Sequence, residues 1–205
     1  MGTDTSVCNA ARVSMDKQSS QFTDAQNTSL LNYLAKHNHW SPFAHCMVSF
    51  RFKAPIFIAR QFQKHQVGFA WNEVSRRYVS SAPEFWSPPF FRQKAPSVKQ
   101  GSLPTPHDGS AFYIEMMDQL TITAQTLYNA MIKDGVCPEQ ARAVLPQSMM
   151  TEWIWTGSLY AWARMYELRI DPHAQAECAP YALLVDKQCR ELFPLAWSAL
   201  TERSS

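Results

Sequence analysis

Val48, Phe50 and Phe52 alternate with Ser49, Arg51 and Lys53, the two-residue period of a strand with one apolar face and one wet face. Pro55 closes the run. Trp153 and Trp155 flank Ile154 in a second alternating stretch that also reads as a strand. Few other segments carry this period, and most of the remainder carries the helical one. The chain is therefore expected to be α+β, dominated by helices and with few strands.

Leu30, Leu31 and Leu34 fall at helical spacing and place a helix over 24–37, started by Thr23 or Asp24 and broken by Ser41-Pro42. Pro55 suits the first turn of another helix, because its missing N–H has no helical partner there. A helix from Pro55 to His65 puts Gln61, Lys64 and His65 on one face by three- and four-residue spacing. A long helix is expected from Ser110 to Asp134, ended by Gly135. Pro138 opens a short helix that carries Arg142 and stops before Pro146. Ser158 caps a helix reaching Arg169. Asp171-Pro172 supplies the cap and first turn of the last helix, with a kink at Pro180. Two stretches read as irregular: the polar residues 1–20, apart from a short ordered element open to Ala10-Ala11-Arg12-Val13-Ser14, and Ser87–Asp108 with its five prolines, long enough to be a functional lid.

At 205 residues with 46% hydrophobic composition, the chain can bury a substantial core, and it is read as a single domain over 1–205 with no linker or repeat. A net charge of +2 opposes a nucleic-acid partner, which calls for a strongly basic face. Residues 1–20 lack the apolar segment of a signal peptide, and no stretch has the length of a membrane span. Five cysteines without CxxC spacing read as reduced thiols in a cytoplasmic protein.

The chemistry concentrates between Arg60 and Tyr78. Arg60, Lys64, Arg76 and Arg77, with His65, Glu73 and several amides, are interleaved with Phe62, Val67, Phe69, Trp71, Val74 and Tyr78. Guanidinium groups grip phosphate bidentately, ammonium groups neutralise it, and amides match the edges of a base. Such a set suits an anion that carries a flat ring; a solvated helix face with Glu73 paired to Arg76 or Arg77 is the plainer reading. His37, His39 and His45 form a second cluster, but no carboxylate or thiol stands where a third metal ligand belongs, so no metal is expected. Arg164, Arg169, Asp171 and His173 form a third, at a helix junction whose free N–H groups favour an anion. Arg142 adds another cation. The chain has no Gly-x-Gly-x-x-Gly fingerprint, P-loop or serine elbow, and Cys46, Cys178 and Cys189 lie in apolar-patterned elements where thiols are inert.

Arg60-Gln61, Lys64-His65-Gln66, Asn72-Glu73, Ser75 and Arg77-Tyr78 together resemble the signature of the flavin-dependent thymidylate synthases, an RHR triplet followed by seven residues and a serine. Further matches run in the family's order over about residues 10–182: Ala11-Arg12-Val13-Ser14, Lys36-His37, His39, Ser41-Pro42-Phe43, Lys53-Ala54-Pro55, Ala141-Arg142, Val144-Leu145-Pro146, Leu168-Arg169 and His173-Ala174-Gln175. Three departures stand out. Lys64 and Gln66 replace the two arginines, eight residues rather than seven separate Gln66 from Ser75, and Gly157-Ser158-Leu159-Tyr160 stands where the family often carries an asparagine-x-arginine pair.

The resemblance implies a small antiparallel sheet flanked by helices, and the reductive methylation of dUMP to dTMP. Methylenetetrahydrofolate would supply the carbon, and NADPH the reducing equivalents through FAD. It assigns His39, Ser41, Lys64, His65, Gln66, Glu73, Ser158 and Arg164 to FAD. To dUMP it assigns Gln61, Lys64, Glu73, Val74, Ser75, Arg76, Arg77, Arg142 and Arg169, with the Glu73–Arg77 backbone as phosphate cradle. Arg169 would polarise the uracil ring, so no cysteine nucleophile is needed. It also implies a homotetramer with sites shared between subunits. Two alternatives stay open at this point: a nucleic-acid module that stacks bases on the interleaved aromatics, and a homologue that keeps the fold without turnover.

Overall fold

The alternating segment does form a strand, and its neighbours in sequence are mostly helices. The computed structural model describes residues 1–79, 81–96 and 101–202. In chain order the elements are α1 (Asp4–Arg12), α2 (Asp24–Lys36), α3 (Ser41–Ala44), β1 (Met47–Pro55), α4 (Ile56–Phe62), β2 (Phe69–Glu73), β3 (Arg92–Lys94), β4 (Ser102–Pro106), α5 (Ser110–Lys133), α6 (Pro138–Ala141), β5 (Met150–Ser158), α7 (Leu159–Ile170), α8 (Ala179–Leu192) and α9 (Pro194–Thr201). Val48 and Phe52 of β1 are buried while Ser49, Arg51 and Lys53 are exposed. In β5, Trp153 and Trp155 are buried and Ile154 is exposed. The main sheet has the order β1-β5-β2. Cys46 O accepts from Leu159 N and Met149 O from Ile56 N, so β1 and β5 run antiparallel.

The fold divides into two compact units: Met1–Phe50, His65–Trp71 and Trp155–Ser205 make the first, Arg51–Lys64 and Asn72–Ile154 the second. The first unit is cored by Leu31, Phe43, Leu159, Met165, Trp197 and Leu200, all almost fully buried. Trp162 meets Phe50 and Phe69 edge-on at 4.9 Å each and Trp155 at 4.8 Å, and its indole N–H donates to Val48 O at 3.1 Å. Gly157 is obligatory in this cluster, since a Cβ there would run into the Phe69 ring. The second unit stacks Phe52 on Trp153 at 5.1 Å, with Phe62 beside both. No helix among the described residues is long and apolar enough to cross a membrane.

Several local expectations are corrected. Residues 1–20 are not irregular: α1 forms there, followed by single 3-10 turns at Val13–Met15 and Ser19–Gln21. Its polar sequence hides Val7 and Cys8, which bury completely, and Asp4, whose carboxylate accepts from Leu195 N at 3.0 Å and Ala196 N at 2.8 Å. Tertiary contacts override a weak local signal. Helix α4 ends at Phe62, and Pro55 is its extended N-cap rather than part of its first turn. Lys64 and His65 therefore leave the helix, and no common helical face joins them to Gln61. A turn follows, in which Phe69 N donates to Gln66 O at 3.2 Å and Gly68 takes φ +81°. A positive φ at that position is what glycine permits.

The proline-rich stretch holds a two-stranded antiparallel ribbon, β3 with β4, pairing Arg92 with Pro106 and Lys94 with Ser102. Pro104 and Pro106 are tolerated because a two-stranded ribbon is all edge, where a missing N–H need not break a ladder. Asp171-Pro172 starts no helix. The Asp171 carboxylate instead accepts from His173 N at 2.7 Å in a turn, α8 begins only at Ala179, and Pro180 sits in its first turn rather than at a kink. Likewise Ser41-Pro42 opens α3, and Arg142 follows α6 at the head of a 3-10 turn, Arg142–Val144.

Candidate functional site

In the second unit, the end of β2 and the turn after it form one wall of a cavity of about 370 Å³. Glu73 closes the strand, and its carboxylate accepts from Thr151 Oγ1 at 2.7 Å and from Gln63 Nε2 at 3.4 Å. Val74 N donates to Glu152 O at 2.9 Å, the last rung toward β5. The chain then turns: Ser75 O accepts from Tyr78 N and Val79 N, and Ser75 Oγ accepts from Arg77 N at 3.3 Å.

Four cations line this cavity, in two electrostatic classes. Arg51 is pinned by Glu152 at 2.6 Å and Lys53 by Glu84 at 2.7 Å. Arg76 donates to the Ser81 carbonyl, and Arg142 Nε to the Glu139 carbonyl at 3.3 Å. Neither of these guanidinium groups has a carboxylate partner among the described residues, so their charge is available to an anion. Arg77 pairs with Glu139 at 2.6 Å and does not line the cavity. Of the residues expected around dUMP, the cavity gathers Glu73, Val74, Arg76 and Arg142; Gln61, Lys64 and Ser75 are not in its lining. Arg51, Lys53 and Thr151 are additions. The signal for Arg51 and Lys53 is the polar face of β1, which reads in sequence only as the wet side of a sheet, whereas Thr151 is buried on the same face of β5 as Trp153.

In the first unit, the side chain of Arg169 on α7 meets His65. The guanidinium Nε donates to imidazole Nε2 at 2.9 Å, and the His65 ring stands 6.3 Å from buried Trp155. Burial, then the positive charges of Arg169 and Arg164, hold the His65 pKa down at about 4, so the ring is neutral at physiological pH. Arg164 and Gln66 are exposed, as are His39 and Ser41 at the head of α3. Ser158 is buried and spends its hydroxyl oxygen capping α7, where it accepts from Ala161 N at 3.2 Å. Asp171 and His173 bond each other at 3.0 Å.

The residues assigned to FAD thus fall in both units: His39, Ser41, His65, Gln66, Ser158 and Arg164 in the first, Lys64 and Glu73 in the second. Lys64 and Arg164 are exposed cations without a carboxylate partner among the described residues. Charges of this kind beside amide and imidazole groups fit a diphosphate joined to heterocycles. The thiols offer no nucleophile of comparable promise. Burial raises Cys8 and Cys46, and pushes Cys178 to about 11 and Cys189 to about 12, and all five cysteines are unpaired.

The chain matches the family model described as thymidylate synthase complementing protein over residues 1–195. It is 36% identical over 202 residues to a flavin-dependent thymidylate synthase of Thermus thermophilus, covering 98% of this chain and 73% of that protein. A flavin-dependent thymidylate synthase of Thermosipho africanus is 33% identical over 200 residues, covering 97% and 86%. Among solved structures, the UMP/dUMP methylase PolB from Streptomyces cacaoi, bound with 5-Br dUMP, superposes with a TM-score of 0.87 at 26% identity, covering 98% of this chain and 91% of that one.

Proposed function

The chain belongs to the flavin-dependent thymidylate synthase family, and from that membership we propose that it converts dUMP to dTMP by reductive methylation. Methylenetetrahydrofolate donates the carbon and NADPH the reducing equivalents. FAD, when bound, supplies the hydride chemistry, and the protein supplies orientation and charge. The observation that carries the reading at residue level is the cavity of the second unit, where Arg76 and Arg142 have no carboxylate partner among the described residues. Its volume of about 370 Å³ lies in the range of small-molecule sites.

In this reading Arg76 and Arg142 hold the phosphate of dUMP. Glu73, fixed by Thr151, orients the nucleotide with the backbone at Val74. Gln61, Ser75 and Arg77 complete the cradle when the nucleotide arrives, Arg77 by leaving Glu139. His39, Ser41, Lys64, Gln66 and Arg164 hold FAD, with Lys64 and Gln66 standing in for the family's two arginines at one less formal charge, while His65 between them is turned to Arg169. The Ser158 hydroxyl belongs to the helix cap more than to the flavin. Arg169 stabilises negative charge as it develops on the pyrimidine ring, a role worth most in a site with little water. The working form is a homotetramer with shared sites, in the cytoplasm that the unpaired thiols suit.

Arg169→Ala separates these roles. The variant should stay yellow with bound flavin and form no measurable dTMP from dUMP, methylenetetrahydrofolate and NADPH, while the wild type does. Normal turnover by the variant would remove Arg169 from the chemistry.

A further inference from the structure

We propose that His65 is the positioning residue of Arg169: its imidazole, acting as a neutral acceptor at Nε2, fixes the plane of the guanidinium that faces the pyrimidine. The inference rests on the functional reading above and goes beyond it, because it gives His65 a task directed at the nucleotide chemistry rather than at the flavin.

The geometry is specific. Arg169 Nε lies in the plane of its guanidinium, so a hydrogen bond there sets the orientation of the whole fork. The bond to His65 Nε2 is 2.9 Å long and joins residues 104 apart in sequence. His65 is itself placed by the chain leaving α4 and by the Trp155 ring of β5. An acceptor at Nε2 requires the ring proton on Nδ1. Among the described residues, the charges that bear on this ring are those of Arg169 and Arg164, both from α7, and the ring lies partly buried. Protonation would turn the acceptor into a donor aimed at two cations, so the contact exists only with a neutral ring.

The choice of acceptor has a consequence for charge. A carboxylate in this position would orient Arg169 equally well and offset its charge. A neutral imidazole orients it and adds no negative charge of its own. The turn at Gly68 and the early end of α4 at Phe62 are what bring His65 to this place instead of continuing the helix.

The test uses the FAD-loaded protein with 13C-labelled histidine. The Cε1–H resonance of His65, assigned by its loss in His65→Gln, should titrate near pH 4 and move upward in Arg169→Ala, which removes both the donor and a cation. A midpoint near 6.5, or one indifferent to Arg169→Ala, overturns the pairing. In turnover, His65→Gln keeps an amide oxygen as acceptor and should retain kcat within about threefold, whereas His65→Leu should lose kcat by roughly tenfold or more with KM for dUMP and flavin affinity little changed. Equal impairment of both variants, or a loss confined to flavin affinity, overturns the positioning role. Absence of dTMP from the wild type would instead sink the functional reading, and the titration would still decide whether His65 holds Arg169.

Discussion

Arg51 and Arg142 line the same cavity, yet among the described residues only Arg51 meets a carboxylate. Glu152 binds Arg51 at 2.6 Å, while Arg142 meets a backbone carbonyl. Removing a guanidinium that binds phosphate forfeits a charged hydrogen bond of about 1.5–3 kcal/mol, or roughly a ten- to hundredfold rise in KM for dUMP. Arg142→Ala should show that rise, and Arg51→Ala should show much less; equal effects in steady-state kinetics would contradict the distinction. His65 makes a second prediction, for stability. Its pKa of about 4 in the folded chain lies below the ordinary 6.5, so the unfolded chain binds more protons between those values. The sign follows: His65's contribution is whole above pH 6.5 and is lost as pH falls toward 4. Urea midpoints should therefore fall less over that window in His65→Gln than in the wild type, and parallel declines would refute the buried neutral ring. At this scale the sequence was informative about kinds of residue and poor on partners. Arg76, Arg77 and Arg142 all read as phosphate ligands. Nothing in the chain's order reveals that Glu139 claims Arg77, because the two residues of that ion pair stand 62 positions apart in sequence.

Helix α5 shows what periodicity can and cannot tell. Its ends were legible from composition alone, since Gly135 at φ +85° terminates it. Its environment was not. In 24 residues only Ser110, Ala124 and Tyr128 are buried, while Phe112, Met116, Leu120 and Leu127 form an exposed apolar stripe along one face. In the homotetramer proposed above, that apolar face would take a second copy of this chain. Leu120→Asp would bury a lone carboxylate there, at a cost of several kcal/mol. Sedimentation should then show smaller species and a matching loss of activity; an unchanged mass would move the interface elsewhere. The strands divide in the same way. β1 and β5 announce themselves by clean alternation around Phe50, Trp153 and Trp155. β2 does not, because Phe69 and Trp71 are separated by Ala70 and the segment is dense with side chains that look like ligands. β4 is masked by its prolines, harmless only at an edge. α1 starts on a local pair, Thr3 with Ser6, but the burial of its first turn, where Asp4 caps α9 from 191 positions away, is contained in no local window.

Across the whole molecule, the residues assigned to one reaction are drawn from two compact units. His65, Arg164 and Arg169 belong to the first, and Glu73, Arg76 and Arg142 to the second. The chain passes between the units at Phe50–Arg51, Lys64–His65, Trp71–Asn72 and Ile154–Trp155, so the signature segment 60–78 alone supplies both. That is why it was the most informative stretch of the sequence, and why its spacing could not be converted directly into a geometry. The family's order of motifs is legible over about residues 10–182; the helix expected to unite Gln61, Lys64 and His65 ends at Phe62. The central claim is that flavin reduction and dUMP meet in one protein, and an anaerobic absorption spectrum tests it most directly. Purified, FAD-loaded protein should lose its flavin band on addition of NADPH with dUMP present, and regain it with methylenetetrahydrofolate as dTMP forms in equal amount. A flavin band that neither bleaches nor returns, or that cycles without dTMP, would contradict the account.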